Sequence, residues 1–147
     1  MTANDSIIPI TSTIEDYLEG ILVLSEEKGF AQVTELAHLL EVSKASVTEM
    51  VSKMKKLELV NFEKYGTISL TQKGKEIATK VFDMHETLKS FLLMIGVKES
   101  NANQDCCSME HDLSKDTIKR LKTFIEFLED EKQRDIIERF AKYKSKS

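Results

Sequence analysis

Between Leu59 and Thr71 the chain abandons the helical spacing of its apolar residues and alternates them instead. Leu59-Val60-Asn61-Phe62-Glu63 and Thr67-Ile68-Ser69-Leu70-Thr71 each alternate, and Lys64-Tyr65-Gly66 between them is suited to a turn. That pattern predicts a short β-hairpin. One proline, five glycines and abundant Lys, Glu, Leu and Ile make the rest read as helix. The segments on either side of the hairpin decide the architecture.

Before it lie three helical stripes. Ile14, Tyr17, Leu18, Ile21, Leu22 and Leu24 form the first, running to about Glu27 with Gly29 as its stop. The second covers residues 33–40, with Leu36, Ala37 and Leu40 inward and His38 a packed or solvated helix residue. Ser43 is a good N-cap for the third, whose buried face is Val47, Met50, Val51 and Met54. Helix, tight turn holding Val42, and helix is the helix-turn-helix arrangement. A hairpin directly behind it is a wing. The prediction is a winged-helix domain over residues 13–75, preceded by an irregular segment, residues 1–12.

Behind the hairpin a long helix is expected over residues 75–95, with Ile77, Val81, Met84, Leu88, Phe91, Leu92 and Ile95 in its stripe and Gly96 at its end. A polar loop, residues 98–103, should lead to a short helix carrying Cys107, Glu110 and His111. Ser114 caps the next helix, with Ile118, Leu121, Ile125 and Leu128 inward. Ile136, Ile137, Phe140 and Tyr143 predict a docked last helix with a frayed end. This second domain, residues 76–147, is all-α and carries more apolar stripe than it can cover alone, so a homodimer is expected. The fold class is mainly α.

The chain of 147 residues has no apolar run approaching the ~18 of a membrane span. Its N-terminus lacks the basic start and long apolar region of a signal peptide, so a cytoplasmic protein is expected. The net charge of −4 disfavours nucleic acid, but residues 43–75 hold seven lysines against three glutamates. A basic block inside an acidic chain can mark a phosphate-facing surface, or be merely solvated.

On a helix Cys107, Glu110 and His111 stand at i, i+3 and i+4, so thiolate, carboxylate and imidazole share one face. These are strong transition-metal donors. Adjacent Cys106 and Cys107 are unsuited to pairing with each other and suggest metal or redox chemistry, or simply small buried residues. Asp16 and Glu19, i and i+3 on the first helix, read either as dipole partners or as ligands. An organic-ligand-responsive winged-helix regulator and a thiol redox switch are the alternatives to a metal sensor. A metalloenzyme is disfavoured: there is no HExxH, no phosphate loop and no nucleophile-plus-base pattern.

Ile14-Glu-Asp-Tyr-Leu-Glu19, the run from Ser43 to Glu49, Leu70-Thr-Gln-Lys-Gly74, His85-Glu86 and Glu110-His111 occur in an order and spacing that resemble the diphtheria-toxin-repressor family of metal-dependent transcriptional repressors. The likeness is greatest to the two-domain manganese-transport-regulator branch. It implies a repressor of manganese- or iron-uptake genes with a metal set of Asp16, Glu19, His85, Cys107, Glu110 and His111. It implies Mn²⁺ or Fe²⁺, with Co²⁺, Ni²⁺ or Zn²⁺ able to substitute, and no small organic substrate. Cys107 stands where the manganese branch has a bridging glutamate, as in the iron type. Asp16 stands where the iron type has methionine. Lys89 and Asn103 occupy positions of the iron type's ancillary ligands, so that site is not expected, nor is the iron type's third domain. Cys106 and Asp105 are close enough in sequence to assist. By the same resemblance Ser43, Lys44, Ala45, Ser46, Thr48 and Glu49 would enter the major groove of a palindromic operator, with Lys44, Lys53 and Lys56 on phosphates.

Overall fold

A computed structural model describes residues 10–146 of the chain. The irregular segment expected over residues 1–12 lies mostly outside them. The first helix, α1 (Ser12–Leu24), starts where Thr11 Oγ1 accepts from the Ile14 amide at 3.2 Å. It buries Ile14, Tyr17, Leu18 and Ile21. It ends earlier than the stripe suggests, and a turn carries the chain to Gly29 at φ 81°, a left-handed conformation natural to glycine.

Strand β1 (Ala31–Gln32) runs directly into α2 (Val33–Leu40), where the Gln32 amide donates to Glu35 Oε2 at 3.0 Å. Lys28 also hydrogen-bonds Glu35, and together these hold its carboxyl below the usual glutamate range, the lysine contributing most. Glu41 at φ 55° turns the chain, and Ser43 Oγ accepts from the Ser46 amide to open α3 (Lys44–Lys56). Val47, Val51 and Met54 form the buried face of α3, with Met50 partly buried beside them.

The hairpin is present: β2 (Val60–Phe62) pairs antiparallel with β3 (Thr67–Leu70), Phe62 opposite Ile68. The structure adds β1 on the other side of β3, giving a three-stranded sheet in the order β1-β3-β2. A two-residue strand is too short for alternation to show in sequence. In the four-residue link, residues 63–66, Tyr65 has φ 69° and Gly66 φ 76°. For tyrosine that conformation costs about 1–2 kcal/mol. The Gln32 carboxamide lies 3.2 Å from both the Tyr65 and Gly66 carbonyl oxygens, where its nitrogen donates to them. The wing tip is thereby tied to the start of α2.

Thr71 closes this part of the fold. Its hydroxyl donates to the Glu58 carbonyl and accepts from the Gly74 amide, 2.6 and 3.1 Å, at the head of α4 (Gln72–Met94). The chain divides within α4 into two compact units, the first ending at Phe82 and the second beginning at Asp83. The first is organised on Leu18, Ile21, Leu36, Val47, Val51, Met54, Leu59 and Ile68, all wholly buried.

The second unit contains the rest of α4 with α5 (Glu99–Asp112), α6 (Lys115–Glu129) and α7 (Arg134–Lys144). Leu88, Leu92, Ala102, Cys106, Ile118 and Ile125 form its core. The polar loop expected over residues 98–103 is instead the first half of α5. Its Ser, Asn and Gln residues are indifferent helix formers, but Ala102 and Cys106 pack into the core one turn apart, and tertiary burial overrides propensity. Ser114 Oγ caps α6 as expected, accepting from the Thr117 amide. The tail forms α7, but it buries no residue: Ile136 and Phe140 remain more than a third exposed and Tyr143 is 75 % exposed. It nevertheless runs against α6 with Ile137 half-buried, and Lys144 lies over Gly96 at the end of α4, so the helix is docked along one edge while much of its apolar stripe stays open.

Candidate metal centre and DNA-binding surface

Helix α5 sorts its two cysteines to different environments. Cys106 is buried with Ala102, its thiol donating to the Asn103 carbonyl at 3.3 Å. That places its side chain in the core of the second unit. Cys107, one residue on and 100° around the helix, is half-buried on the face that also carries Glu110 and His111. The Cys107 sulfur and a ring nitrogen of His111 lie within 4.8 Å of one another. Zinc-like ions hold sulfur and nitrogen at about 2.3 and 2.0 Å, so two donors of one ion stand up to ~4 Å apart and small side-chain rotations close the difference.

His85 lies on α4 within the same unit, also half-buried; its Nε2 and the Glu110 Oε2 are both excluded from solvent. The thiolate and imidazole that α5 brings together, Cys107 and His111, are donors suited to a divalent transition-metal ion. Lys89, at one of the iron type's ancillary positions, is 3.9 Å from Glu99 in an ion pair, and Asn103 is exposed. In the first unit Asp16 and Glu19 are half-buried on α1, one turn apart.

The surface of α3 has a different character. Ser43, Lys44, Ala45, Ser46, Thr48, Glu49, Lys53 and Lys56 are all exposed, while the opposite face makes the core. Thr48 Oγ1 donates to the Lys44 carbonyl at 3.0 Å, and Glu49 pairs loosely with Lys53 at 3.7 Å. Neither contact shields its groups from a partner. Ser43 is committed to capping, which makes it a positioning residue as much as a contact.

A helix-turn-helix with a wing in one unit and a clustered metal-donor face in an all-helical second unit define a metal-responsive DNA-binding regulator. Residues 9–68 match the family model described as iron dependent repressor, N-terminal DNA binding domain, and residues 71–139 match that family's metal binding and dimerisation domain. The chain is 41% identical over 124 residues to the HTH-type transcriptional regulator MntR of Geobacillus thermodenitrificans, covering 84% of this chain and 88% of that protein. The MntR of Bacillus subtilis is likewise 41% identical over 84% of this chain and 87% of its own length. Among solved structures, that of the manganese regulator SloR superposes with a TM-score of 0.67 at 28% identity, over 80% of this chain and 54% of that one. The chain belongs to the iron-dependent repressor family, the family of the diphtheria toxin repressor and MntR. It is a metal-dependent DNA-binding transcriptional regulator with a dimerisation domain, and not an enzyme. Among the described residues no helix is long and apolar enough to cross a membrane.

Proposed function

We propose that this regulator represses manganese- or iron-uptake genes when metal is plentiful, binding a palindromic operator as a homodimer in the cytoplasm. The observation that carries the metal reading is the half-buried Cys107–Glu110–His111 face of α5, inside the segment matched by the metal-binding model. The proposed ligand set adds His85 from α4 and the carboxylates of Asp16 and Glu19 from α1.

A bound divalent ion supplies a positive centre that several anionic and imidazole donors share. The chain's own part is to hold Glu110 and His111 in fixed rotation on α5, and to bring carboxylates together that repel one another when the charge is missing. Ligands that converge in only one arrangement bias the protein toward it, and the DNA-competent arrangement is the one favoured here. A ~100-fold gain in operator affinity needs about 2.7 kcal/mol of differential binding, within reach of a multi-donor site.

Oxygen donors favour Mn²⁺, and the thiolate of Cys107 raises affinity for Fe²⁺, Co²⁺, Ni²⁺ and Zn²⁺. Manganese is preferred slightly, on the two first-helix carboxylates and on the names of the relatives. The test uses metal-stripped protein and an operator selected from random duplexes by the metal-loaded protein. Titration with Mn²⁺, Co²⁺, Zn²⁺ and anaerobic Fe²⁺ should raise affinity ~100-fold with at least one of the first and last. Cys107→Glu should move the response toward Mn²⁺, and Asp16→Met toward Fe²⁺. Operator affinity indifferent to chelator would end the metalloregulator reading. Variants that respond as the parent does would end the account of selectivity alone.

On α3, Lys53→Ala and Lys56→Ala should each weaken binding equally on operator and scrambled DNA and reduce the salt slope by about 1. Glu49→Ala should instead relax preference at a single base pair. Equal losses on both duplexes for Glu49→Ala would remove it from base readout.

A further inference from the structure

We infer that a cavity in the first unit binds a small zwitterion with an apolar side chain, in chemical class an apolar α-amino acid. The cavity, about 410 Å³, lies between the end of α1, the end of β3 and the first part of α4, and all of its lining residues belong to the first unit. Small-molecule sites occupy ~300–1,000 Å³, so the volume suffices. Leu22, Val23, Leu70 and Phe82 give it apolar walls, and Ser25, Glu26 and Lys75 are its polar groups.

The chain leaves those polar groups unsatisfied. The C-terminus of α1 is the negative end of a helix dipole, yet no basic residue stands in its last turn and Glu26 lies just past its cap. Helix α4 opens with the positive end of its own dipole, yet it has no acid in its first turn and carries Lys75 near its head. Each helix end thus bears the charge that its dipole disfavours. Among the described residues neither Glu26 nor Lys75 forms an ion pair. The Ser25 hydroxyl is closed off from solvent and has no hydrogen-bond partner among those residues. A buried hydroxyl in that state destabilises the fold unless something else bonds it.

Together these features select one occupant. An ammonium group answers Glu26 and the end of α1, and a carboxylate answers Lys75 and the head of α4. An apolar side chain removes water from the walls of Leu22, Val23, Leu70 and Phe82. Ser25 turns about a single χ1 bond, and its hydroxyl can bond either charged group of the occupant. A simple carboxylic acid would satisfy Lys75 but meet Glu26 with like charge, and a simple amine would do the reverse. Glycine would bring both charges and nothing for the apolar walls. None of these residues belongs to the proposed metal set, so the assignment stands apart from the metal reading.

The test uses the full-length protein, isotopically labelled in its glycines, stripped of metal and kept in chelator so that complexes of amino acid with metal play no part. Of the five glycines, Gly29 lines the cavity and Gly96 belongs to the second unit. Single replacements by asparagine, which tolerates their positive φ, identify their two amide resonances. L-Leucine at millimolar concentration should move the Gly29 resonance along a saturable curve and leave Gly96 in place. Isocaproate and isopentylamine, which each lack one charge, and glycine, which lacks the side chain, should bind ~10-fold more weakly. Glu26→Ala and Lys75→Ala should each weaken leucine ~10-fold, and Ser25→Ala ~3-fold. The first two should also melt at or above the parent temperature, since each removes a charge that its helix end disfavours. No saturable movement of Gly29, or an equal movement of Gly96, would overturn the site. Isocaproate binding as tightly as leucine would overturn the zwitterion and with it the part given to Glu26. Leucine binding by Lys75→Ala within twofold of the parent would overturn the placement of the carboxylate.

Discussion

A protein carrying Glu110→Ala and His111→Ala together is expected to bind operator no better with Mn²⁺ or Fe²⁺ than with chelator. The parent gains ~100-fold under the same titration. Two of the three donors on one face of α5 are removed at once, leaving Cys107 as that helix's only contribution. In the proposed set the donors that remain, Cys107 with His85, Asp16 and Glu19, lack two of the six, and a set so depleted does not hold a divalent ion against buffer. Both side chains are half-buried, so truncation costs the fold far less than it costs the metal. A circular-dichroism melt of the metal-stripped variant within a few degrees of the stripped parent establishes that. DNA binding measured by fluorescence anisotropy gives the main readout. A double variant that still responds to metal would move the site off α5.

Gly74→Ala carries the largest expected effect on folding. A Cβ at Gly74 would stand 1.9 Å from the Leu59 carbonyl oxygen and 2.9 Å from its carbon. Neither side can yield cheaply. The same oxygen accepts from the Thr71 amide at 3.1 Å, and the Leu59 amide is fixed to the Met54 carbonyl at 3.0 Å. Making room means pulling the first turn of α4 away from the end of α3 and forfeiting the Thr71 bridge to Glu58. We expect a loss of about 3 kcal/mol and a melting temperature lower by more than ~10 °C. A variant melting within ~2 °C of the parent would show that α4 shifts away from Leu59 at little cost. The glycine in Leu70-Thr-Gln-Lys-Gly74 is thus a packing requirement, with no positive φ involved.

The periodicity of the sequence was enough to find α1 to α4, α6 and the hairpin, because their apolar residues recur cleanly and Thr11, Ser43 and Ser114 stand where caps belong. It failed at β1 and at the start of α5 for opposite reasons. Ala31 and Gln32 are too few to display a period, and they become a strand only because β3 offers a free edge. Residues 98–103 look like loop because their composition is polar, and they become helix because Ala102 and Cys106 are paid back by burial. The donor face on α5 was legible from spacing alone. His85 was not: a lone histidine on a long helix carries no pattern, and only the family resemblance singled it out. The separate fates of Cys106 and Cys107 also needed the fold, since neighbouring residues on a helix face 100° apart and only the position of the core decides which one is lost to it.

One feature of α3 bears on how such a regulator changes over generations. Every residue proposed to touch DNA is exposed, and Val47, Val51 and Met54, which hold the helix in place, point the other way. Apart from Ser43, whose hydroxyl caps the helix, substitutions on the outer face therefore carry almost no folding penalty, and none of these side chains belongs to the proposed metal set. Descendants of this chain can drift toward new operators by single replacements while continuing to sense the same ion, so divergence of the regulated genes need not await any compensating change elsewhere in the protein.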